Sequence, residues 1–455
     1  MSVISNIRDA GVVGAGGAGF PTHVKLNTKA EYILLNGAEC EPLLRVDQQL
    51  MKAHPDEVLD GLCIAKNEIG AQFAYIGVKC SHPDVIEVLR SRISALGLSS
   101  EVEVKELPDV YPAGDEQVLV YELTGRVVPE TAIPGAVGCV VINAETAFNI
   151  HNACFGQPVT DKFVTVTGAV PNPITVRVPV GTPVKTLFAL AGLDMSELAD
   201  YEIINGGPMM GPLLDTENKP KDAFVTKTTK GLIVLPSEHG LILKKKRSLQ
   251  TSLRIDRSAC EQCSMCTDLC PRHLLGHSTA PHKAVRSFAF GLSADESQTA
   301  ALTCCQCNLC DYFSCPAGIS PRSANLFYMT ELRKEGIKHT PKAEFKPSEL
   351  RSYRQIPTKR LIARLGLNKY NVAAPLCENA LASMPEYAAM HLKDHVGAPA
   401  TPCVSVGDRV SRGQIIANMK QGELGPPVCA GISGTVEKIE NKDEYLEIAE
   451  AYSEM

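Results

Sequence analysis

Short apolar runs alternate with amphipathic stretches along the first third of the chain. Tyr32-Ile33-Leu34-Leu35, Phe73-Ala74-Tyr75-Ile76-Gly77-Val78, Val102-Glu103-Val104 and Gly138-Cys139-Val140-Val141-Ile142 read as strands. Asp84 to Leu96 and Gln117 to Thr124 carry apolar residues at helical spacing. This alternation predicts an α/β domain over residues 1–158. The texture then changes. Phe163 to Val170 and Ile174 to Pro179 predict a hairpin, Pro183 to Ala191 a helix, and Tyr201 to Gly211 a strand with a glycine-rich turn. These elements predict a small α+β module over residues 159–245, with Met209 and Met210 as packing residues. Residues 246–330 are cysteine-rich, 331–380 read as a Lys-, Arg- and Pro-rich linker with a short helix, and 381–455 return to short β segments. No apolar run reaches the roughly 18 residues of a membrane span, and the N-terminus lacks the apolar core of a signal peptide.

Composition narrows the function classes. The 455 residues are 44% hydrophobic and carry a net charge of −6. That balance argues against a nucleic-acid surface. The basic run Lys244-Lys245-Lys246-Arg247 reads as a solvated linker. Seventeen cysteines, bunched rather than spread, predict a reducing compartment: the cytoplasm, or an enclosure shared with cytoplasmic enzymes.

Nine of those cysteines lie between Cys260 and Pro316, in two nearly matching runs. The first is Cys260-x2-Cys263-x2-Cys266-x3-Cys270-Pro271, the second Cys304-x2-Cys307-x2-Cys310-x4-Cys315-Pro316. The first run has the spacing of two-cluster bacterial ferredoxins, where three close cysteines hold one [4Fe–4S] cluster and the fourth ligates the other. Proline after the fourth cysteine keeps a preceding helix from carrying that ligand away. On this logic Cys260, Cys263, Cys266 and Cys315 hold one cluster, and Cys304, Cys307, Cys310 and Cys270 the other. The alternative is a pair of zinc sites, but zinc uses paired Cys-x2-Cys units rather than triplets completed by Cys-Pro. Cys305 is surplus and is expected to pack beside a cluster. His273, His277 and His282, in the segment between the runs, read as scattered surface residues.

The N-terminus carries Gly14-Ala15-Gly16-Gly17-Ala18-Gly19-Phe20-Pro21, with Lys25 following. Clustered glycines let backbone N–H groups converge on an anion. Gly14-x-Gly16-x-x-Gly19 formally matches a dinucleotide fingerprint, with Glu39 twenty residues beyond. Yet no clear apolar strand feeds the loop, and Pro21 falls where a Rossmann helix would already be running. A different phosphate-binding loop is the expectation. Polar groups also end the predicted strands, as ligand crevices of α/β sheets require: Asn36, Glu39 and Glu41 after the first, then Tyr111, Gly114, Asp115 and Glu116, then Asn143 and Thr146.

Four motifs in this order, Gly-x-Gly-Gly-Ala-Gly-Phe-Pro with Lys25, Asn36-x-x-Glu39-x-Glu41-Pro42, Tyr111-x-x-Gly114-Asp115-Glu116 and Asn143-x-Glu145-Thr146, resemble the flavin-binding 51 kDa subunit of respiratory complex I and the Rnf complex C subunit. The resemblance implies FMN with NADH as electron donor. It places Gly14, Gly16, Gly17, Gly19 and Lys25 at the flavin phosphate, and Asn36, Asn143 and Thr146 at the ribityl chain or ring edge. Phe20 would stack on adenine, and Glu41 and Glu116 would touch nicotinamide ribose or the flavin edge. Glu39, Tyr111, Gly114 and Asp115 complete the implied cofactor-binding set. The family usually has Glu where Asp115 stands and an acidic residue where Ala38 stands, both near the nicotinamide side. The module at 159–245 resembles the family's soluble-ligand-binding β-grasp. Gly407-Asp408-x-Val410-x-x-Gly413-Gln414 with Ser433-Gly434-Thr435-Val436 resembles a barrel-sandwich hybrid. Lys420, only seven residues beyond Gly413, is too close to serve as a carrier lysine.

A barrel-sandwich segment after the cluster region, rather than before the flavin domain, resembles the cobalamin (corrinoid) reductases of the propanediol-utilisation microcompartment. That family implies reduction of cob(III)alamin and cob(II)alamin toward cob(I)alamin during propanediol degradation. It also implies cobalamin adenosyltransferase and shell proteins as partners, inside a bacterial microcompartment. No catalytic acid–base residue is expected, because the flavin supplies the chemistry. Two other readings are a subunit of an Rnf-type electron-transport complex and a non-catalytic iron–sulfur scaffold.

Overall fold

The computed structural model describes residues 2–194, 200–215, 223–291, 296–440 and 445–449. The first domain contains β1 (Tyr32–Asn36), β2 (Phe73–Lys79), β3 (Val102–Leu107), β4 (Val110–Tyr111) and β5 (Cys139–Asn143). Four of these form a parallel sheet in the order β3-β2-β1-β5. β1 explains the uninterrupted apolar run in the sequence. Ile33 and Leu35 pack with Leu59, Leu62 and Ile76 on one face, while Leu34 packs with Leu119, Leu123 and Val141 on the other. A strand covered on both faces needs apolar residues at every position. The helices Pro55–Ile69 and Ala144–Cys154 share the first face. They cross at Gly61, where any Cβ would stand 1.9 Å from the Ala147 carbonyl oxygen. The glycine loop is preceded by the helix Val3–Asp9, and Val13 makes only an isolated bridge to Pro21.

The second module is a mixed sheet of β6 (Asp161–Gly168), β7 (Ile174–Pro179), β8 (Tyr201–Asn205) and β9 (Gly231–Pro236). β6 and β7 form the expected hairpin, β9 lies parallel to β6, and the helix Val184–Leu190 packs over a core of Val164, Val176, Leu187 and Phe188. Met209 is fully buried, as a packing residue should be, but Met210 is 56% exposed. The turn Gly207–Gly211 has room for only one of the two side chains inside.

Residues 246–330 fold as short helices around the two cysteine runs. The basic run before them is not a solvated linker. It ends the helix Gly240–Lys245, and Lys244 donates to the carbonyls of Asp311, Gly318 and Ile319 around the second run. Lys245 donates to the Gly211 carbonyl at 2.6 Å. None of the three histidines is a free surface group. His277 is 2% exposed and bonds the Val128 carbonyl at 3.0 Å, and His282 bonds Thr267 at 2.6 Å. His273 is half-buried.

The linker is stitched into the rest. The helix Pro321–Lys334 runs across position 330, β10 (Ile356–Pro357) pairs with β4, and β11 (Leu376–Cys377) adds an edge to β7. Ile356 lies opposite Tyr111. The C-terminal barrel joins β12 (Tyr387–His391), β14 (Arg409–Val410), β17 (Gly434–Glu440) and β18 (Tyr445–Ala449) in one sheet. Its second sheet holds β13 (Thr401–Pro402), β15 (Ile415–Asn418) and β16 (Val428–Cys429). The barrel docks on the glycine loop, with the Val396 N–H donating to the Gly19 carbonyl at 2.9 Å. Among the described residues no helix is long and apolar enough to cross a membrane.

Candidate functional site

In the order β3-β2-β1-β5 the chain runs outward in opposite directions from β1, so the gap between β1 and β5 is a topological switch point. Ligands of open α/β sheets bind beyond the strand carboxyl ends at such a point. Asn36 and Asn143 end the two strands and lie opposite each other in register. The glycine loop sits over them. Ala15 N–H donates to Thr146 Oγ1 at 3.0 Å, and a Cβ on Gly16 would stand 3.5 Å from the Asn143 side chain. Gly16, Gly17 and Ala18 are exposed, and nothing lies within 4 Å of the place a Gly17 Cβ would occupy. Gly17 has φ +111°, a conformation that side chains disfavour. This open main-chain cradle beside a cation fits the phosphate end of a flavin nucleotide.

The cation is Lys25. Its ammonium donates to Glu116 Oε1 at 3.1 Å and to the Val141 carbonyl at 3.0 Å. Asn36 Nδ2 holds the Gly114 carbonyl at 2.9 Å, so the loop Tyr111–Glu116 closes over the end of β1. A Cβ on Gly114 would come within 3.2 Å of both Asn36 Oδ1 and Cys40 Sγ. Asn143 has two structural tasks: its Oδ1 caps the helix Ala144–Cys154, and its Nδ2 donates to Asp47 Oδ2 at 2.9 Å. Phe20 is half-buried, with its backbone pinned to Gly14.

Two of the acidic residues are turned to support rather than to the open cradle. Glu39, at φ +36°, accepts from the Asp47 and Gln48 backbone N–H groups at the start of the helix Val46–Ala53. Glu41 accepts from the Met209 and Met210 N–H groups at 2.9 and 3.1 Å, binding the flavin domain to the second module. Burial raises the pKa of both carboxyls.

A buried ionic layer that sequence patterns did not disclose lies beneath the cradle. Lys162 pairs with Glu145 and donates to the Ala15 carbonyl at 3.2 Å, while Lys230 pairs with Asp47. Both lysines come from the second module. Lys162 is the second residue of β6, where a long cation beside Phe163 and Val164 is a weak signal that a charge is wanted there.

Asp115 and Tyr111 face the cysteine region. Asp115 Oδ1 caps the helix Glu116–Thr124, and its Oδ2 accepts from Arg272 at 2.9 Å. Tyr111 is buried, and its hydroxyl donates to the Cys307 carbonyl at 2.8 Å. Each cysteine loop enters the left-handed region twice, at Gln262 and Ser264 and again at Gln306 and Asn308. The two loops therefore have the same winding, two and four residues after their first cysteine.

Cys260, Cys263, Cys266 and Cys315 line one pocket. Cys270 lies within electrostatic reach of Cys304, Cys307 and Cys310, with Cys305 among them. The structure thus brings the fourth cysteine of each run to the other triplet. The extra residue before Cys315 is taken up by a π-helical turn over Cys310–Ser314, a common way to absorb one insertion. Burial pushes the Cys266 thiol up to about 12 and the Cys304 thiol up to about 11. All-cysteine sets of this kind fit iron–sulfur clusters. No group of three or more His, Cys, Asp or Glu among the described residues has the spacing of a single-ion site.

Comparison with known proteins gives the same architecture. Residues 7–152 match the Nuo51 FMN-binding domain, 163–213 the SLBB domain, 259–320 a 4Fe-4S dicluster domain and 376–448 the RnfC barrel sandwich hybrid domain. Over 442 residues the chain is 43% identical to cobalamin reductase PduS of Citrobacter freundii, covering 96% of this chain and 95% of that protein. It is 44% identical to cobalamin reductase PduS of Salmonella typhimurium, covering 95% and 93%. The C component of the Na(+)-translocating ferredoxin:NAD(+) oxidoreductase complex of Acetobacterium woodii is 37% identical over 59% of this chain and 57% of its own length. The chain, by its near full-length identity and its four domains in this order, belongs to the PduS cobalamin reductase family.

Proposed function

We propose that this protein is an NADH-dependent reductase that passes electrons singly through FMN and two [4Fe–4S] clusters to cobalamin. The acceptor states are cob(III)alamin and cob(II)alamin, reduced toward cob(I)alamin for adenosylcobalamin regeneration. The observation that carries this reading is the unbroken contact between cradle and cysteine loops, the Tyr111 hydroxyl on the Cys307 carbonyl at 2.8 Å. When bound, FMN accepts a hydride and releases electrons one at a time, which clusters can take up.

The chain's own residues prepare the site. The Gly14–Gly19 backbone would hold the flavin phosphate, and Lys25 would supply a charge-assisted contact to it. Asn36, Asn143 and Thr146 hold the strand ends and glycine loop in register and would hydrogen-bond the ribityl chain or ring edge. Phe20 and Glu116 border the open side, where NADH would enter. Glu39, Glu41, Tyr111, Gly114 and Asp115 set the shape of that pocket through the helix starts and domain contacts they make. Cys260, Cys263, Cys266 and Cys315 ligate one cluster, and Cys304, Cys307, Cys310 and Cys270 the other. The named activity of the PduS relatives supports cobalamin as acceptor. The resemblance to the reductases of the propanediol-utilisation microcompartment implies a place in the cytoplasm within such a compartment, beside an adenosyltransferase and shell proteins.

Anaerobic purification with iron, sulfide and flavin quantified, then NADH, then hydroxocobalamin, tests the reading. Stoichiometric FMN, bleaching by NADH and appearance of cob(II)alamin or cob(I)alamin are the expected results. Clusters that NADH reduces, with cobalamin left untouched, would instead favour a relay like that of the Rnf complex. Clusters without flavin would refute the assignment of the glycine cradle.

A further inference from the structure

Arg272 stands where the flavin domain meets the second cysteine set. It follows Cys270-Pro271 and lies in the short helix Pro271–Leu274. It is 7% exposed, and Nη2 donates to Asp115 Oδ2 at 2.9 Å. Its other two nitrogens, Nε and Nη1, are buried with no nitrogen or oxygen acceptor among the described residues, and the guanidinium comes within hydrogen-bonding reach of the Cys305 side chain. A guanidinium is a rigid fork of five N–H donors, so anchoring one edge fixes where the others point. Besides Asp115, the charged or polarisable groups beside it are the Cys305 and Cys270 sulfurs. The group is a permanent cation with donors to spare, set against sulfur.

An interdomain ion pair needs only the Asp115 contact. A single thiol, Cys305, does not satisfy two further buried donor nitrogens, and the unmet remainder would be an uncompensated cost. These donors have an acceptor if the sulfurs of a cluster held by Cys270, Cys304, Cys307 and Cys310 lie beside them. We infer that Arg272 is a potential-setting residue, donating hydrogen bonds to the sulfurs of this second cluster while Asp115 holds it in place. The inference rests on the two-cluster reading. Reduction adds one electron to the cluster, and a nearby cation with N–H···S bonds stabilises that more negative state, raising the reduction potential. Asp115 partly neutralises the same cation, so the two residues act with opposite sign. The effect is confined to the cluster next to the flavin domain, which would hold that cluster poised to take electrons from the flavin side.

The test is an EPR-monitored redox titration of the full-length, anaerobically reconstituted protein, with iron and sulfide counted per chain. Arg272→Gln should lower the potential of one of the two clusters by a tenfold change in its reduction equilibrium, 59 mV for a one-electron couple. The other cluster should keep its wild-type value. Arg272→Lys, which keeps the charge but loses the fork, should fall between. Asp115→Asn should shift the same cluster upward, and it serves if Arg272→Gln does not fold. Wild-type potentials for both clusters in variants with full iron content would overturn the inference. Iron for only one cluster in the wild-type protein would overturn the two-cluster reading and the inference with it.

Discussion

The Lys162 ammonium, supplied by β6, donates to the Ala15 carbonyl inside the glycine loop at 3.2 Å. A residue of the second module thereby fixes the backbone that the cradle is built from. The same ammonium pairs with Glu145, and both side chains are almost wholly buried, at 2% and 1% exposure. Removing one partner of a buried ion pair leaves an unpaired charge in a dry interior. Lys162→Met should therefore destabilise the protein by about 3–5 kcal/mol, whereas Lys162→Met with Glu145→Leu should recover most of that loss. Chemical denaturation of the three proteins reads the difference. Flavin retained on gel filtration should drop in the single variant, because Ala15 loses its tether.

The Tyr111 hydroxyl is the sole heavy atom removed by Tyr111→Phe, so the variant removes its bond to the Cys307 carbonyl at 2.8 Å together with a longer one to Glu41 Oε1 at 3.4 Å. Loss of a buried hydrogen bond should cost about 0.5–1.5 kcal/mol. Stopped-flow absorbance after NADH addition should also show slower bleaching of the clusters, with flavin reduction unchanged. Equal bleaching rates would remove this contact from the electron route.

Cys304 and Cys305 are neighbours in sequence, and both lie close to Cys270. The winding that repeats at Gln262 and Gln306 assigns Cys304, not Cys305, to the position of Cys260. Cys305→Ala should keep the full iron and sulfide content, and Cys304→Ala should lose one cluster's share. The opposite pattern would exchange their roles.

Asp256 gives the cysteine region a pH dependence. It is fully buried in the helix Leu249–Ala259, with Oδ1 accepting from the Ser320 N–H at 2.8 Å. Burial, opposed by the Ser320 bond, raises its pKa from 3.8 to about 7. The folded form thus binds a proton that the unfolded chain has already released. The associated stability is fully present below the unfolded value and is lost as pH rises through the folded one. Stability should fall between about pH 5 and 7 with a slope approaching 1.4 kcal/mol per pH unit. In Asp256→Asn that slope should vanish, as measured by denaturant midpoints across the interval. A slope surviving in the variant would assign it to another group.

Much of this architecture was legible along the chain because its signals are local. The two cysteine triplets need thiolates a few residues apart on one turn, so their spacing names them without a fold. The nearness of Cys270 to the second triplet and of Cys315 to the first is likewise what the ferredoxin spacing leads one to expect. The run Ile33-Leu34-Leu35 announces a strand covered on both faces, and clustered glycines announce a loop open to a phosphate. Local pattern also misled. The basic run before the cysteines reads as solvated, because nothing nearby discloses the carbonyls of Asp311, Gly318 and Ile319 that receive Lys244. For Glu41, which the resemblance places beside the nicotinamide or flavin, no local pattern discloses the amides 168 and 169 residues further on that it also receives.

Which charges meet could be learned from the folded chain alone. Lys162 and Ala15 are separated by 147 residues, and Arg272 and Asp115 by 157. A buried charge is tolerated only with a partner, and that partner is chosen by how the domains pack rather than by neighbouring residues. The cofactor-bearing loops are written in the order of residues, since their chemistry depends on groups within one turn. How those loops face each other was settled by folding, because it depends on side chains brought together from different domains.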